Sequence, residues 1–570
     1  MQMSIENYIE HHYPRITVAP QALRQLLFAG LKKLFHEDQI NMFLRENAQK
    51  DAFSFIEATI DYFDISIGLK KEELRHIPTY GRAVIIANHP LGALDAMALM
   101  HLLKDVRGDI KIVANDFLLG LENLRDVLIP VDNITGGMNR ETIRSVYHAL
   151  EEEQAVIIFP SGEVSRARPN GIKDTPWKSG FLKIALKMKA PILPVYIKAK
   201  NSNHFYILSM LNRSLATVTL PHEMFKAKGK KIEFTIGKPI PFDAYHLPSL
   251  GSNNVVKLLR KHFYRVAKHK KPLFKTQNEI SVPESRGELK AELKHGKILG
   301  ETFDGKKIIL YETPIENCVL KEIGRLREVS FRHVGEGSGK KRDLDEYDYY
   351  YKHLIIWDDE ALEIAGAYRL GESREIIEEF DADGLYTRTL FDFDEAFLPY
   401  LGRGLELGRS FVQPKYWNSR ALDYLWQGIG AYVKQNPQIR YLFGAVSLSD
   451  AFNDKAKALM IYFFQHYFGS QEKLVTHKVS YSIPSELKAY CQNLFAGDNY
   501  REDQHKLKEE LGLMGYAIPT LYKQYAEVCE EGGVKFLDFG YDKNFNNCID
   551  GLIVVDLNYL KPSKAKRYFK

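Results

Sequence analysis

Short apolar runs rich in β-branched side chains alternate with helix-length stretches through the first half of the chain. The runs occupy residues 83–87, 110–114, 127–131, 156–159, 192–197 and 232–236, and residues 95–104, 140–152 and 179–189 between them have helical spacing. Such alternation is typical of a largely central sheet covered by crossover helices. The pattern predicts an α/β domain with helices on both faces of its sheet, an αβα arrangement.

The second half is again α/β, with different strands. Residues 297–302 and 306–311 flank Asp304-Gly305, a step typical of a hairpin turn, and later strands are expected over 364–370, 404–412 and 441–447. Residues 266–290 are polar and contain Pro272 and Pro283, which indicates a linker. We therefore expect an amphipathic helical region at 1–45, a first domain at 46–265, the linker at 266–290 and a second domain at 291–570.

Composition narrows the class of protein. The chain has 570 residues, more than one hydrophobic core normally supports, and 45% of them are hydrophobic. A net charge of +5 is too small to indicate a nucleic-acid partner, and the four cysteines lack the Cys-x-x-Cys spacing of a zinc site. The start of the chain lacks a secretion signal. We expect a cytoplasmic enzyme with no metal and no bound cofactor.

Residues 21–35 form a candidate amphipathic helix. Leu23, Leu27, Leu31 and Leu34 share one helical stripe with Gly30, and Arg24, Lys32 and Lys33 lie towards its edges. A helix packed on the domain core explains this pattern, and so does a helix lying on a membrane surface. A lipid substrate would favour the second explanation, a helix lying on a membrane surface.

The first candidate site follows the apolar run at residues 83–87. His89 stands where that strand ends, the position at which open α/β sheets place ligands, and could act as a general base oriented by Asp95. A turn histidine and an early helical acid would explain the same residues. A second loop at residues 159–166 favours a site, because Gly162 permits close backbone approach and Arg166 could hold a phosphate.

Residues 80–240 resemble the glycerolipid acyltransferase family, which includes lysophosphatidic acid acyltransferases. Four blocks carry the resemblance: His89 with Asp95, residues 129–133, residues 159–166, and Pro191 with Pro194 in the segment 190–195. The resemblance implies catalysis by His89 and Asp95. It also implies a group of substrate-binding residues, namely Asn88, Asn133, Ser161, Gly162, Glu163 and Arg166.

Two departures from the family pattern bear on the acceptor. The family usually spaces its histidine and aspartate one residue closer than His89 and Asp95, so a turn residue such as Gly92 must absorb the difference. Asn133 replaces an arginine, and Ser161 and Glu163 flank Gly162 where the family has its glutamate before the glycine. These changes point away from a glycerol-phosphate acceptor. The pattern resembles the hemolysin-like branch, whose members are similar to enzymes that acylate hydroxyls of amino-acid lipids.

The second candidate site is a series of acids and arginines in the C-terminal half. In order, its members are Arg327, Phe331, Asp345, Asp348, Arg369, Glu406 and Arg409. Strand alternation over 404–412 would place Glu406 and Arg409 on opposite faces, where each charge needs a partner, and Arg369 and Asp348 are candidates. By default, Arg327 is a solvated cation and Phe331 a core aromatic.

This series resembles the signature of acyl-homoserine-lactone synthases, and it is similar to that of ornithine N-acyltransferases. The resemblance covers residues 295–560, including Asp542, Phe545 and Asp550. It implies a GNAT-like fold and an acyl donor carried as a phosphopantetheine thioester on acyl carrier protein. A gap between two central strands would admit the donor, and Glu406 or Asp348 would deprotonate the incoming amine. The other members would bind substrate.

Together the two resemblances predict a bifunctional acyltransferase bound peripherally to the inner face of the cytoplasmic membrane. The C-terminal domain would attach a 3-hydroxyacyl group to an amino acid, with ornithine as first choice and glycine as an alternative. The N-terminal domain would then acylate the hydroxyl of this lyso-aminolipid. A lysophospholipid acyltransferase with an accessory or degenerate C-terminal domain is the competing reading, and a non-catalytic lipid-binding or carrier-binding scaffold is another.

Overall fold

A computed structural model gives the arrangement of the chain. It describes Glu6 and residues 21–115, 121–131, 140–168, 171–212, 216–217 and 219–569. The chain forms two compact units, Met1–Glu279 and Ile280–Lys570. The boundary falls inside the expected linker.

The first unit contains the helices and strands expected of an α/β domain. Its helices are α1 (Gln21–Leu34), α2 (Glu37–Glu46), α3 (Ala52–Tyr62), α4 (Ala93–Lys104), α5 (Arg140–Glu151), α6 (Gly180–Met188), α7 (Asn203–Leu211), α8 (Leu220–Lys226), α9 (Phe242–Tyr245) and α10 (Ser252–Val266). Its strands are β1 (Ser66–Gly68), β2 (Ala83–Ala87), β3 (Ile110–Asn115), β4 (Leu128–Val131), β5 (Ala155–Ile158), β6 (Arg166–Arg168), β7 (Gly171–Lys173), β8 (Ile192–Lys198) and β9 (Lys231–Ile236).

Seven of these strands form one sheet in the order β1-β9-β8-β2-β5-β3-β4, with β2 at its centre. The pairs are parallel except for β8 with β9. Alternate residues of β2 enter separate cores, Val84 and Ile86 on one face and Ile85 on the other. A strand covered on both faces reads as a continuous apolar run, which explains the sequence of β2.

The second unit has its own set of elements. Its helices are α11 (Arg286–Glu292), α12 (Cys318–His333), α13 (Ser373–Phe380), α14 (Leu398–Leu401), α15 (Ala421–Gln435), α16 (Asp454–Phe468), α17 (Ser485–Leu494), α18 (Tyr500–Leu513), α19 (Thr520–Ala526) and α20 (Pro562–Tyr568). Its strands are β10 (Lys297–Glu301), β11 (Lys307–Tyr311), β12 (Lys352–Asp358), β13 (Glu363–Glu372), β14 (Phe391–Phe393), β15 (Gly404–Val412), β16 (Tyr441–Leu448), β17 (Val475–His477), β18 (Val534–Asp542) and β19 (Cys548–Asp556).

Eight strands of the second unit form a sheet in the order β10-β11-β12-β13-β15-β16-β19-β18. All neighbours are antiparallel except β15 and β16, which are parallel. Helices α12 and α15 pack on this sheet, so the unit is α/β as expected. The fold class predicted for both halves is confirmed.

The expected linker differs from the structure at its end, because α11 already begins at Arg286. The hydroxyl of Ser285 accepts a hydrogen bond from the N–H of Glu288 and caps the helix. The Ser-x-x-Glu spacing is a helix-start signal that the neighbouring Pro283 obscured. Among the described helices, none combines the length and apolarity needed to span a bilayer.

Candidate active sites

His89 lies at the carboxyl edge of the first sheet. Strand β2 is buried along its whole length, and the chain leaves it at Asn88 to begin α4 at Ala93. The amide of Asn88 bonds both backbone groups of Ile197, at 2.8 and 2.7 Å, and extends the pairing of β2 with β8. Asn88 therefore fixes the direction in which the chain presents His89.

His89 and Asp95 form a close pair. Nδ1 of His89 lies 3.3 Å from Oδ2 of Asp95, which also accepts hydrogen bonds from the N–H groups of Leu91 at 2.6 Å and Gly92 at 3.1 Å. Burial raises the pKa of Asp95, and the imidazole and the two N–H groups act in the opposite direction. The imidazole also stacks on the ring of Phe159, with 4.1 Å between ring centres. These contacts restrain the His89 ring from two sides.

Gly92 accommodates the longer spacing between His89 and Asp95. It adopts φ +94°, in the region that favours glycine, and is the last residue before α4. The turn places the first helical residues so that Asp95 faces back towards the histidine. The extra residue is absorbed in the turn at Gly92.

The second predicted loop reaches His89 through its backbone. The N–H of Ser165 donates to the carbonyl of His89 at 2.7 Å. Ser161 donates to the carbonyl of Glu163 at 2.8 Å, and Gly162 has φ +68°. Four predicted binding residues lie in the segment 159–166 itself, whereas Asn133 lies outside the described residues.

Arg166 is buried against α7. Its guanidinium donates to the hydroxyls of Ser209 at 3.1 Å and Thr217 at 3.3 Å, and it lies 3.5 Å from the carboxylate of Glu163. The ring of Phe205 covers it at 5.6 Å. Through these contacts Arg166 holds the loop against α7. The sequence suggested instead that Arg166 could bind a phosphate.

Asp174 is a member of this site that the sequence did not reveal. Its carboxylate accepts hydrogen bonds from the Ser165 hydroxyl at 2.5 Å, the Trp177 indole at 3.0 Å and the N–H of His89 at 3.3 Å. Burial raises the pKa of Asp174, and these donors oppose the rise. Asp174 thus joins the loops of His89 and Ser165. No local pattern pointed to Asp174, because its contact with His89 spans 85 positions.

A cleft of about 770 Å³ opens beside the His89 loop. Asn88, Pro90 and Leu91 lie in its wall together with Asn201. The amide of Asn201 donates to the carbonyl of Pro90 at 3.0 Å. The cleft is thus lined by the residues on either side of His89 in the chain.

The second site is centred on the parallel strands β15 and β16. Their register covers only 404–406 against 441–443, although β15 continues to Val412 and β16 to Leu448. Glu406 is the last paired residue of β15. The ladder pairing of β15 with β16 therefore stops at Glu406, although the backbone of Leu407 still lies against Gly444. The gap between the two strands that the resemblance implies stays a prediction.

A β-bulge changes the faces expected for β15. Arg369 pairs with Gly408 and Ala367 with Phe411, so two residues of β15 oppose one of β13. Arg409 lies in the bulge with φ +49°. The guanidinium of Arg409 lies 4.8 Å from the ring of Tyr386, whose N–H bonds Glu406. The expectation that Glu406 and Arg409 face opposite sides was wrong, because the extra residue turns Arg409 to the Glu406 side.

Three arginines and three aspartates form one buried network around this point. Arg327 lies 2.6 Å from Asp348, which also lies 3.2 Å from Arg369. Arg369 bonds Asp345 as well. Arg409 lies 3.3 Å from Asp345 and 3.5 Å from Asp343. The charges balance when every member is ionised.

Asp348 is the carboxylate at the centre of the network. Burial by itself would raise the pKa of Asp348, but the guanidinium groups of Arg327 and Arg369 outweigh it and hold the pKa well below its usual range. The N–H of Asp345 donates to Asp348 at 2.9 Å. Asp348 is therefore a stable anion, and a weak acceptor of protons.

Glu406 occupies a different environment. Its carboxylate accepts hydrogen bonds from the hydroxyl of Tyr351 and from the N–H groups of Thr387 at 2.7 Å and Tyr386 at 3.2 Å. Burial raises the pKa of Glu406, and these hydrogen bonds partly offset the rise. Glu406 is therefore a better proton acceptor than Asp348.

Aromatic rings join the remaining predicted residues to the network. Tyr386 lies between Arg369 at 5.1 Å and Arg409 at 4.8 Å. Phe331 packs edge-on against Phe545 at 5.1 Å, and Arg409 lies 5.1 Å from that second ring. All seven members of the series from Arg327 to Arg409 therefore lie in one cluster.

The sequence did not single out Asp343, Tyr351 or Tyr386. Asp343 stands two positions before Asp345 and contacts the same arginine, a period-two signal that could have been recognised. The tyrosines gave no such signal, because their contacts depend on how distant segments fold.

A group of acids lies near the start of β19. Burial raises the pKa of Asp550 to about 8, and the nearby carboxylates of Asp542 and Glu336 reinforce the effect. Burial also raises the pKa of Glu336 to about 7, and the hydroxyl of Ser447 donates to it at 2.8 Å.

Comparisons with known proteins agree with this architecture. An acyltransferase family matches residues 17–271, and the acetyltransferase (GNAT) domain family matches residues 326–427. The chain is 35% identical over 307 residues to a glycine N(alpha)-acyltransferase of Phocaeicola vulgatus, a match that covers 51% of this chain and 93% of that protein.

Two further relatives are similar to parts of the chain. A lyso-glycine lipid O-acyltransferase of Phocaeicola vulgatus is 32% identical over 222 residues, which cover 38% of this chain and 78% of the relative. An L-ornithine N(alpha)-acyltransferase of Brucella abortus is 35% identical over 134 residues, which cover 22% of this chain and 46% of the relative.

The two domains and their sites define an acyltransferase enzyme with an N-terminal acyltransferase domain and a C-terminal GNAT domain. The chain belongs to the acyltransferase family that includes the glycine N(alpha)-acyltransferase of Phocaeicola vulgatus. The prediction of an acyltransferase with two such domains is confirmed.

Proposed function

We propose that the chain makes a two-chain aminolipid by two successive acyl transfers. The second unit attaches a 3-hydroxyacyl group to the amine of an amino acid, and the first unit acylates the hydroxyl of the product. The observation that carries the proposal is the presence, in one chain, of the His89–Asp95 pair and of Glu406 beside the acid–arginine network. Relatives named for each of the two steps support it.

In the first step, Glu406 is the base. The amine nitrogen attacks the carbonyl carbon of the thioester, the carbon–sulfur bond breaks, and the thiol of the donor leaves. Glu406 accepts the proton that the amine loses, and the proton is then released to the thiolate or to solvent. The end of the paired register of β15 and β16 at Glu406 supports a place for the pantetheine arm beside this carboxylate. We propose that acyl carrier protein carries the donor thioester.

Asp348 has a positioning role in this proposal, and Glu406 alone is the base. A carboxylate that two arginines hold in the ionised form has a low affinity for a proton. Asp348 orients Arg327 and Arg369. Arg369 in turn lies against the ring of Tyr386, whose N–H donates to Glu406.

In the second step, His89 is the base. Asp95 fixes the ring through Nδ1, which leaves Nε2 for the hydroxyl of the lyso-aminolipid. The hydroxyl oxygen attacks the thioester carbonyl, the thiol leaves, and the imidazolium returns its proton to the sulfur. Asp95 stabilises the imidazolium formed on the way.

We assign glycine as the amino acid, ahead of ornithine. The relative named for glycine is matched over 93% of its length, whereas the ornithine relative is matched over 46% at the same identity. Since the proposed acceptor of the second step is a one-chain lipid, the proposal places the enzyme peripherally on the cytoplasmic face of the membrane.

Lipid analysis of a host that lacks aminolipids tests the proposal. Cells that express the chain and receive labelled glycine should contain a labelled lipid with two acyl chains, detected by mass spectrometry. Labelled ornithine supplied in parallel is the control for the headgroup. Altered phospholipids without any acylated amino acid would contradict the proposal and favour a lysophospholipid acyltransferase.

A further inference from the structure

Helix α7 has an apolar surface exposed to solvent. Ile207, Met210 and Leu211 follow the helical spacing of one stripe and are 59%, 70% and 81% exposed. The sequence of α7 contains no charged side chain. Surface helices normally present polar residues to water, so this stripe is a candidate for contact with an apolar partner.

The opposite face of α7 forms part of the first active site. Phe205 and Tyr206 are buried with Val164, from the loop at residues 159–166, in a small apolar cluster. Ser209 accepts the hydrogen bond from Arg166 described above. Whatever contacts the exposed stripe of α7 is therefore held next to the loop that reaches His89.

Helix α7 is firmly held at its beginning. Ser202 caps the helix, and its own N–H and hydroxyl donate to the carboxylate of Glu223 at 2.6 and 2.8 Å. Glu223 is itself buried on α8. The exposed stripe is thus presented on a fixed helix.

The cleft that begins beside α7 is positively charged. Ser202 and Asn203 at the start of the helix line this cleft, together with four lysines and one glutamate. The lysines are Lys198, Lys200, Lys230 and Lys231. The glutamate, Glu233, lies 2.7 Å from Lys198 and 3.3 Å from Lys231, so Lys200 and Lys230 are the cations that carry the argument. An apolar stripe beside a group of exposed cations matches a surface with an apolar interior and anionic headgroups.

We infer that α7 is a membrane-docking helix, whose stripe enters the acyl region of a bilayer while the lysines bind anionic headgroups. Docking in this orientation brings the cleft beside His89 to the membrane, so a lyso-lipid can pass into it without crossing water. The inference rests on the membrane location in the proposed function, and adds the surface that makes the contact.

Vesicle binding tests the inference. The full chain is mixed with sedimentable vesicles of phosphatidylglycerol and phosphatidylcholine in equal parts, or of phosphatidylcholine alone. The combined variant Ile207→Ser, Met210→Ser, Leu211→Ser should bind the anionic vesicles about tenfold more weakly than the wild type, because these side chains lose their transfer from water. Leu513→Ser, at a residue 84% exposed on α18, is the matched control and should bind as the wild type does.

A charge variant tests the lysines separately. Lys200→Gln combined with Lys230→Gln should weaken binding to the anionic vesicles and leave binding to phosphatidylcholine unchanged. Wild-type binding should also fall as salt is added. Equal losses on both kinds of vesicle would contradict the role of the lysines.

The outcomes separate this inference from the proposed function. Undiminished vesicle binding by the combined α7 variant, with the wild type bound, would overturn the inference and leave the membrane location standing. Failure of the wild type to bind either vesicle would overturn both. Dissociation of a wild-type oligomer by the α7 variant, seen by light scattering with vesicle binding intact, would show that the stripe contacts a second copy instead.

Discussion

Single side chains set the charge state of each site. Asp348 and Glu406 are both buried, yet two guanidinium groups lower the pKa of Asp348 while burial raises the pKa of Glu406. Acids that occupy different environments can take different roles, which is consistent with our proposal that Asp348 positions the arginines and Glu406 is the base.

The hydroxyl of Tyr351 tunes the proposed base. Its hydrogen bond lowers the pKa of Glu406, so Tyr351→Phe should raise that pKa further. Because the base must be ionised, the acid limb of kcat/KM for N-acyl transfer should move to higher pH in this variant. The measurement is the pH profile of purified enzyme. Tyr350→Phe, which removes a hydroxyl bonded to the carbonyl of Gly384, should leave the limb in place. An unshifted limb in Tyr351→Phe would argue against Glu406 as the base.

Removal of the charge of Asp348 should destabilise the second unit. Asp348→Asn leaves Arg327 and Arg369 without a buried counter-ion, at a cost of about 3–5 kcal/mol in the free energy of unfolding. Denaturant unfolding at neutral pH measures this cost. The folded state lowers the pKa of Asp348, so its contribution is complete above the unfolded pKa of about 4 and declines as the pH falls below that value.

An exposed pair provides the comparison for Asp348. Asp392 bonds Arg388 at the surface, where water screens the charges, and Asp392→Asn should change the stability little. Equal effects of the two substitutions would show that the network contributes no more than a surface pair.

At the scale of elements, short connections between loops position His89. Asp174 binds the loop that follows β2 and the loop that follows β5, and Trp177 ties the same carboxylate to the segment before α6. Strand β2 is rigid at the centre of its sheet, so the orientation of the histidine depends on these loops.

Asp174→Ala should impair the second acyl transfer selectively. Loss of its hydrogen bonds lets the two loops, and His89 with them, shift from their positions. A misplacement of about 1 Å in a catalytic group can lower the rate about 100-fold. The expected result is a large fall in kcat for O-acylation with unchanged N-acylation by the same protein, assayed with purified substrates. Asp61→Ala, at an exposed acid of the first unit, is the control. Equal kcat for the two variants would exclude a positioning role.

Elements with strong local patterns could be predicted from the sequence. The expected bounds of β2 and β15 are those of the structure. Strand β2 was predictable because a strand buried on both faces reads as a continuous apolar run. The pairing of His89 with Asp95 was predictable for the same reason, since both flank one strand-to-helix turn. The face of the sheet on which Arg409 lies could not be predicted. The single extra residue of the bulge reverses that face, and nothing in the strand sequence marks the bulge.

At the scale of the whole molecule, two units with separate cores carry two sites. The boundary between Glu279 and Ile280 falls within the linker expected from composition, whereas the detailed domain limits stay a prediction. Because each unit has hydrophobic cores of its own among the described residues, we expect a substitution at one site to leave the other unit folded.

This independence gives the central claim a direct test. Purified wild type, His89→Gln and Glu406→Gln are supplied with acyl-carrier-protein thioesters and labelled glycine, and the products are analysed by mass spectrometry. The wild type should make the two-chain lipid, and His89→Gln should accumulate the one-chain form, since loss of a general base costs about 10²–10⁴ in rate. Glu406→Gln should make neither product from glycine, yet should convert added N-(3-hydroxyacyl)glycine into the two-chain lipid. A two-chain product from His89→Gln at the wild-type rate, or loss of both steps in either variant, would contradict the division of labour between the two sites.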